Sequence, residues 1–110
     1  MAALTTEEME GVYIAAFTDT KILDEAKIQQ IGAELMECIN AASDKRLLLD
    51  FDGVSFMSSA MIGKLVLMHK KCKATGIDLR LRKITPNVME VFKLTRLNRI
   101  FNIEEEVETE

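Results

Sequence analysis

The sequence has very few of the residues from which metal centres and nucleophilic triads are built. It contains 1 histidine, His69, and 2 cysteines, Cys38 and Cys72, among its 110 residues. A multi-histidine metal site is therefore excluded, and a Ser–His–Asp triad would have to use His69, whose place in a lysine-rich predicted helix indicates an ordinary surface residue. Both cysteines fall on apolar helix faces, which favours buried free thiols over disulfides or zinc ligation. We expect no metal and no other cofactor.

The sequence also lacks a basic surface stripe and a long apolar run. Its net charge is −4, and its densest group of cations, Lys70, Lys71 and Lys73, lies at the end of a predicted helix, where positive charge offsets the helix dipole. No apolar stretch approaches the roughly 20 residues that span a bilayer, and residues 1–11 show no basic segment followed by an apolar run. We therefore expect a cytoplasmic protein that binds neither nucleic acid nor membrane.

The overall composition is that of one globular domain. Hydrophobic residues make up 48% of the chain and charged residues 29%, and 110 residues suffice for one core but not for two. Because the sequence has no internal repeat and no Gly/Ser-rich or Pro-rich linker, residues 1–110 are interpreted as a single domain. The acidic end, residues 104–110, is expected to be disordered.

Strands are predicted from short apolar runs and from two-residue alternation. Residues 12–17 and 46–51 form nearly continuous apolar runs, which predict buried strands, the second one central and parallel to its neighbours. Residues 77–82 alternate between apolar and charged side chains, and residues 99–103 form a short last run. A further short strand before Val12 is an open alternative.

Helices are predicted from apolar residues that recur at three- and four-residue steps. The helices cover residues 24–42, 60–75 and 87–96. Asp24 stands at the N-cap position of the first, and Pro86 suits the first position of the third. The order β-α-β-α-β-α-β predicts an α/β domain with a small, largely parallel or mixed sheet and right-handed crossovers.

The stretch LLLDFDGVSFMSSAMIG, residues 47–63, has two incompatible interpretations, of which the first is an enzyme. Asp50 and Asp52 close an apolar strand in the pattern Asp-x-Asp-Gly, which resembles the nucleophile motif of haloacid-dehalogenase-type phosphatases. Such an enzyme needs a nucleophilic carboxylate, a second carboxylate as acid/base, and further acids that bind magnesium. The only carboxylates between Asp52 and the acidic end are Asp78, in a predicted strand, and Glu90, in a predicted helix.

A structural role explains the Asp-x-Asp-Gly pattern with fewer assumptions. At the end of a strand this pattern commonly makes a turn, in which Asp52 would accept hydrogen bonds from local backbone N–H groups. Gly53 would then adopt a positive φ, which glycine reaches without steric cost.

The second part of the stretch has a different resemblance. The segment DFDGVSFMSSAMIGKLVLMHKKCKATGIDLRL resembles the STAS domain of bacterial anti-sigma-factor antagonists. In that family a strand and a turn lead to phenylalanine, a hydrophobic residue and then Asp-Ser-Ser/Thr-Gly-Leu-Gly at the start of a helix. The resemblance extends to Ile22-Leu23-Asp24 and to the final segment KITPNVMEVFKLTRLNRIFNI.

Matched position by position, Ser58 stands where the family has aspartate, and Ser59 stands where it has the phosphorylated serine. Ala60, Met61 and Ile62 replace the second Ser/Thr, the first glycine and the leucine, and Gly63 is retained. The resemblance implies a docking surface on which Met61 lies near the rim. We expect the partner-binding surface to consist of the residues at the helix start, Ser58, Ser59, Met61, Ile62, Gly63 and Lys64.

The resemblance implies a bacterial, non-catalytic regulator of transcription that works by partner switching. Its partner would be an anti-sigma factor that is also an ATP-binding serine kinase, and Ser59, with Ser58 as second choice, would be the phosphorylated residue. A phosphate at a helix N-terminus is tolerated by its own domain, so the partner would sense the charge directly. Three alternatives stay open: a serine that is only an N-cap, an unphosphorylated STAS scaffold, and the magnesium-dependent phosphatase that uses Asp50 and Asp52.

Overall fold

The computed structural model describes residues 2–42 and 45–104, which form an α/β structure. The strands and helices follow in this order along the chain: β1 Leu4–Met9, β2 Val12–Phe17, β3 Lys21–Ile22, α1 Glu25–Ala41, β4 Arg46–Asp50, β5 Phe56–Met57, α2 Ser59–Thr75, β6 Asp78–Arg82, α3 Pro86–Leu94, and β7 Asn102–Glu104. A short 3₁₀ helix, Leu97–Arg99, connects α3 to β7.

Among the described residues, five strands form one mixed sheet in the order β1-β2-β4-β6-β7. The β1–β2 pair is antiparallel, and the pairs β2–β4, β4–β6 and β6–β7 are parallel. The predicted α/β class, the mostly parallel sheet and the central position of β4 are confirmed. The strand considered before Val12 is present as β1. The strands β3 and β5 form a separate two-stranded parallel sheet, which the sequence did not predict.

The predicted helix boundaries lie within two residues of the observed ones, and the capping residues explain why. The Asp24 carboxylate accepts a hydrogen bond from the Lys27 N–H at 3.0 Å, so α1 begins at the predicted N-cap. Pro86 is the first residue of α3. Gly76 ends α2 with a φ of 75°, the left-handed conformation that glycine adopts at low cost.

The last strand differs from its prediction. Residues 97–99 are a 3₁₀ helix, and β7 occupies 102–104 rather than 99–103. Glu104, expected in the disordered end, pairs with Arg82 in the sheet. The rest of that prediction, residues 105–110, lies outside the described residues.

One face of the sheet forms the main core together with the three helices. Ala15, Leu49 and Leu81 lie in register on neighbouring strands, and each is completely buried. On the opposite face, Leu48 is also buried, but it stands outside that core, between Ile14 on β2 and Arg80 on β6. The continuous apolar run of β4 is therefore explained by one face under helices and a second face bordered by side chains of neighbouring strands.

The turn after β4 has the predicted backbone conformation. Val54 N–H donates to the Phe51 carbonyl at 3.0 Å, and Gly53 has a φ of +84°, as the third residue of a type II turn requires. The side-chain acceptor differs from the prediction. The Asp50 carboxylate accepts from the Asp52 N–H at 2.8 Å, whereas Asp52 itself is exposed.

The Glu34 carboxylate links the start of β1 to α1. Glu34 accepts hydrogen bonds from the backbone N–H groups of Ala3 and Leu4 at 3.0–3.1 Å and from the Gln30 amide at 2.8 Å. Desolvation raises the pKa of Glu34. Together, these hydrogen bonds and the charge of Lys27 lower the pKa by more than desolvation raises it, so the pKa lies below its ordinary value of 4.5. The interaction therefore stabilises the fold most when Glu34 is ionised.

The two cysteines are buried free thiols, as predicted. Burial raises the pKa of both Cys38 and Cys72 to about 11, and the negative charges of Glu34 and Glu37 add to the effect at Cys38. Thiols of this kind are poor nucleophiles at neutral pH, so they act as small apolar core residues.

The turn geometry predicts different effects for two substitutions at Gly53. An added Cβ there would meet nothing within 4 Å, so any cost comes from the positive φ rather than from a clash. Gly53→Val should lower the free energy of unfolding by about 1–2 kcal/mol, and Gly53→Asn by less, because asparagine tolerates the left-handed region. Urea unfolding of the three proteins measures the difference. Equal losses for Val and Asn would contradict the turn.

The Glu34 contacts predict a pH-dependent stability. Because the folded-state pKa is depressed, the contribution is complete above pH 4.5 and is lost as the pH falls through the folded-state value. Glu34→Gln should lower the free energy of unfolding by about 1 kcal/mol at neutral pH. In urea unfolding this gap between the variant and the unmodified protein should be smaller at an acidic pH below 4.5 than at neutral pH. A gap of the same size at both pH values would show that Glu34 acts only through its shape.

Candidate functional site

The candidate site lies where β5 passes into α2, and the two serines there have different roles. Ser58 is the N-cap of α2, with φ −77° and ψ 164°, and its Oγ accepts a hydrogen bond from the Met61 N–H at 3.3 Å. Ser59 is the first residue of the helix and is exposed. No described residue forms a hydrogen bond with the Ser59 hydroxyl. Ser58 is therefore the residue that caps the helix, and Ser59 is the residue whose hydroxyl is exposed.

Backbone hydrogen bonds fix the position of this serine pair. The strands β3 and β5 pair in parallel, with Ile22 opposite Met57. Ser58 N–H donates to the Ile22 carbonyl at 3.0 Å, and Ile62 N–H donates to the Ser58 carbonyl at 3.1 Å. The first turn of α2 is thus attached to the segment that leads into α1.

Met61 does not lie at the rim of a docking surface, so this part of the predicted partner-binding surface is wrong. Its side chain is completely buried, like those of Leu65 and Met68 further along the helix. The physical reason is the helix period: Met61 begins the apolar stripe that continues at positions 65, 68 and 72. Met61 therefore anchors the first turn of α2 in the core.

The other residues of the predicted partner-binding surface differ in how accessible their side chains are to a partner. Ile62 is mostly buried, and Gly63 is exposed with open space where a side chain would be. Lys64 is partly buried, and its Nζ donates to Gln29 Oε1 on α1 at 3.2 Å, with its alkyl chain beside Gly32. Lys64 is thus engaged with α1 and not with the serines. The exposed surface at the helix start consists mainly of Ser59, Ala60 and Gly63.

The second candidate site, at Asp50 and Asp52, has the geometry of a structural ion pair. Asp50 Oδ2 accepts from Arg82 Nε at 3.2 Å and from Arg82 Nη2 at 3.1 Å, and its Oδ1 accepts from the Asp52 N–H. Asp50 and Arg82 are in register on β4 and β6, so the pair connects the ends of two central strands. Over residues 2–42 and 45–104, no group of three or more His, Cys, Asp or Glu could hold a metal ion.

Three large apolar side chains are exposed on or next to β3, β5 and α3. Leu23 is 58% exposed just after β3, Phe56 is 49% exposed on β5, and Leu94 is 80% exposed at the end of α3. The sequence did not lead us to expect Phe56 and Leu94 at the surface. The periodicity of α3 places Leu94 outside its inner stripe of Val88, Val91 and Phe92, which is the signal that could have identified it. In the described part of the chain, no helix is both long and apolar enough to cross a membrane.

The Asp50–Arg82 pair predicts a protein without phosphatase activity whose stability depends on the carboxylate. The purified protein should hydrolyse p-nitrophenyl phosphate with magnesium no faster than buffer does. Asp50→Asn should lower the free energy of unfolding by about 1–2 kcal/mol, because Arg82 loses a charged acceptor. A magnesium-dependent activity that is lost in Asp50→Asn and kept in Ser59→Ala would restore the phosphatase interpretation.

The fold and the sequence both resemble proteins that are already described. A family model for the STAS domain matches residues 3–110. A protein of Bordetella bronchiseptica with the provisional name anti-sigma factor antagonist BtrV is 27% identical over 100 residues, which cover 91% of this chain and 84% of that protein.

Solved structures show the same fold. An anti-sigma-factor antagonist (STAS) domain protein from Planctomyces limnophilus has a TM-score of 0.81 at 23% identity, covering 96% of this chain and 91% of that one. The Bacillus protein SpoIIAA matches in its unphosphorylated form with a TM-score of 0.74 at 21% identity, covering 94% and 90%. Its phosphorylated form matches with a TM-score of 0.69 at 19% identity, covering 94% and 93%. Because the family model spans nearly the whole sequence, this chain belongs to the STAS domain family.

Proposed function

We propose that this protein is a non-catalytic anti-sigma-factor antagonist. It binds an anti-sigma factor that is also a serine kinase, and phosphorylation of Ser59 switches that binding. The observation that supports the proposal is that the two serine hydroxyls at the start of α2 have different roles. The Ser58 hydroxyl caps the helix, while the Ser59 hydroxyl is exposed and makes no hydrogen bond with a described residue. A kinase can therefore reach Ser59 without breaking the cap.

The start of α2 can accept a phosphate without a change in the fold. The first N–H groups of a helix have no partner within the helix, and the helix dipole favours negative charge there. In this chain the Met61 N–H is already bonded to Ser58, and the Ile62 N–H to the Ser58 carbonyl. The N–H groups of Ser59 and Ala60 are left for an added anion. Phosphorylation of Ser59 would therefore leave the stability nearly unchanged.

The partner, rather than the domain, senses the modification. Phosphorylation replaces a neutral hydroxyl by a group of almost two negative charges. Leu23 directly follows β3, which pairs with β5, and Phe56 lies on β5, which leads into α2; both apolar side chains are exposed. A partner that covers this surface would have to desolvate the phosphate against apolar or acidic groups, which weakens the complex. The switch then needs no second conformation.

The replacement of the family's aspartate by Ser58 removes a negative charge but keeps the N-cap of α2. Aspartate and serine are both strong N-caps, so the hydrogen bond to the Met61 N–H is kept. The negative charge beside the acceptor serine is lost. The kinase that modifies this chain must therefore recognise Ser59 without an acidic neighbour at position 58. The alternative function, a STAS scaffold that is never phosphorylated, would use the same apolar surface.

The proposal is tested by measuring how Ser59 variants bind the kinase that phosphorylates the purified protein in the presence of ATP. Phosphorylated protein should bind this kinase on the order of a hundredfold more weakly than unmodified protein. Ser59→Asp carries one charge on a shorter arm, so it should weaken binding less. Ser59→Ala should bind almost as the unmodified protein does and should block modification. Isothermal titration calorimetry measures the affinities, and the melting temperatures should agree within a few degrees.

Ser58→Ala is the matched control for this series. It removes the cap and should lower the free energy of unfolding by about 1 kcal/mol, but it should still be phosphorylated at position 59. If Ser59→Asp and Ser59→Ala bind the kinase equally well, phosphorylation is not the switch. The scaffold function would then replace the proposal.

A further inference from the structure

The central sheet has a second face, on the side away from the three helices. All the buried residues of α1, α2 and α3 belong to the main core on the first face. Of the buried apolar residues that the structure describes, only Ile14 on β2 and Leu48 on β4 lie outside that core. Residues opposite each other on neighbouring strands point to the same side of a sheet, so Ile14 and Leu48 lie side by side. The face that carries them is termed the open face.

One row of residues across the open face has opposite charges at its two ends. The strand register places Glu7, Ile14, Leu48 and Arg80 in line across β1, β2, β4 and β6. Glu7 is exposed and forms no ion pair with a described residue. Arg80 is also exposed, and its Nε lies 3.3 Å from the carboxylate of Asp78 on the same strand, a surface pair of little strength. The row is thus acidic, apolar, apolar and basic, in that order.

A row with this order is complementary to itself. If a second copy packs its open face on the first, with a two-fold axis parallel to the strands and between β2 and β4, then β1 faces β6 and β2 faces β4. Each Glu7 then meets the second copy's Arg80, and each Ile14 meets the second copy's Leu48. An axis across the strands would instead place Glu7 on Glu7, which like-charge repulsion disfavours. The charges therefore select one arrangement of two copies.

A protruding side chain and a notch form a second complementary pair. Met9 is 54% exposed and lies two residues after Glu7, on the same side of β1. A notch of about 70 Å³ is formed in part by Leu48, Asp78 and Arg80. Because β1 runs antiparallel to β2, and β2, β4 and β6 are parallel, Met9 is level with Asp78 when Glu7 is level with Arg80. In the same arrangement, Met9 therefore enters the second copy's notch, which its flexible side chain can fill.

We propose that the open face is a dimer interface, on which a second copy of this chain packs with Glu7 against Arg80 and Met9 in the notch. This inference does not rest on the proposed function. The face of a five-stranded sheet with strands of this length covers roughly 400 Å². A standard stable interface buries about 800 Å² of each partner, so we expect a reversible dimer that forms as the protein concentration rises. Because α2 packs on the first face, Ser59 stays accessible in both copies.

Sedimentation velocity of the purified protein over a range of concentrations tests the interface. The unmodified protein should show a monomer–dimer equilibrium. Glu7→Arg and Arg80→Glu should each raise the dimer dissociation constant about tenfold or more, because each places like charges opposite each other. Met9→Ser should also weaken the dimer, because it removes the side chain that fills the notch. The matched control is Glu8→Arg, the same change of charge at the next residue, whose side chain points to the other side of β1. It should dimerise as the unmodified protein does.

A mixture of the two charge variants tests the pairing itself. Equal amounts of Glu7→Arg and Arg80→Glu should form mixed dimers about as strong as the unmodified dimer, because both pairs in a mixed dimer again join opposite charges. Misfolded variants could not restore the dimer, so the mixture separates lost pairing from lost folding. A protein that stays monomeric at every concentration would refute the proposal, and so would a mixture that stays monomeric. A dimer that Glu7→Arg and Arg80→Glu leave intact, or that Glu8→Arg weakens equally, would refute it too. An unchanged dimer in Met9→Ser would refute the contact in the notch.

Discussion

The attachment of the first turn of α2 to the rest of the domain is the constraint on which the site depends. The two-residue strands β3 and β5 pair with each other, and Ser58 N–H continues this pairing to the Ile22 carbonyl. From the inner side, the buried Met61 holds the same turn in the core. Backbone hydrogen bonds and core packing thus act on one helical turn from two directions. Ser59 is presented on a rigid support, one residue beyond the cap.

A rigid support determines what kind of switch the serine can be. A switch that works through two conformations needs an element whose alternative packing costs only a few kcal/mol. The start of α2 has a satisfied cap and an anchor in the core, which leaves little reason for a second arrangement. A charge added to the surface is then read locally, and its effect scales with how completely the partner excludes water there.

The sequence predicted those parts of the fold that depend on local patterns. The strand 12–17 and the three helices follow from apolar period and caps, and the positive φ of Gly53 follows from turn chemistry. The strands β3 and β5 could not be predicted, because two residues are too few to show alternation and their pairing joins distant segments. The Asp50–Arg82 pair was missed for the same reason, because its two residues are far apart in the chain. Met61 was misplaced because its role was inferred from the family motif, although its spacing to Leu65 and Met68 already indicated the core.

The proposed switch requires that Ser59, and not Ser58, receives the phosphate. Phosphopeptide mapping by tandem mass spectrometry, on protein isolated from its native cell, tests this claim most directly. We expect one phosphate on the peptide that contains both serines, with fragment ions that assign it to Ser59. Phosphate on Ser58 would contradict the account, because the hydroxyl of that residue caps the helix. Phosphate found only at other residues would contradict it equally.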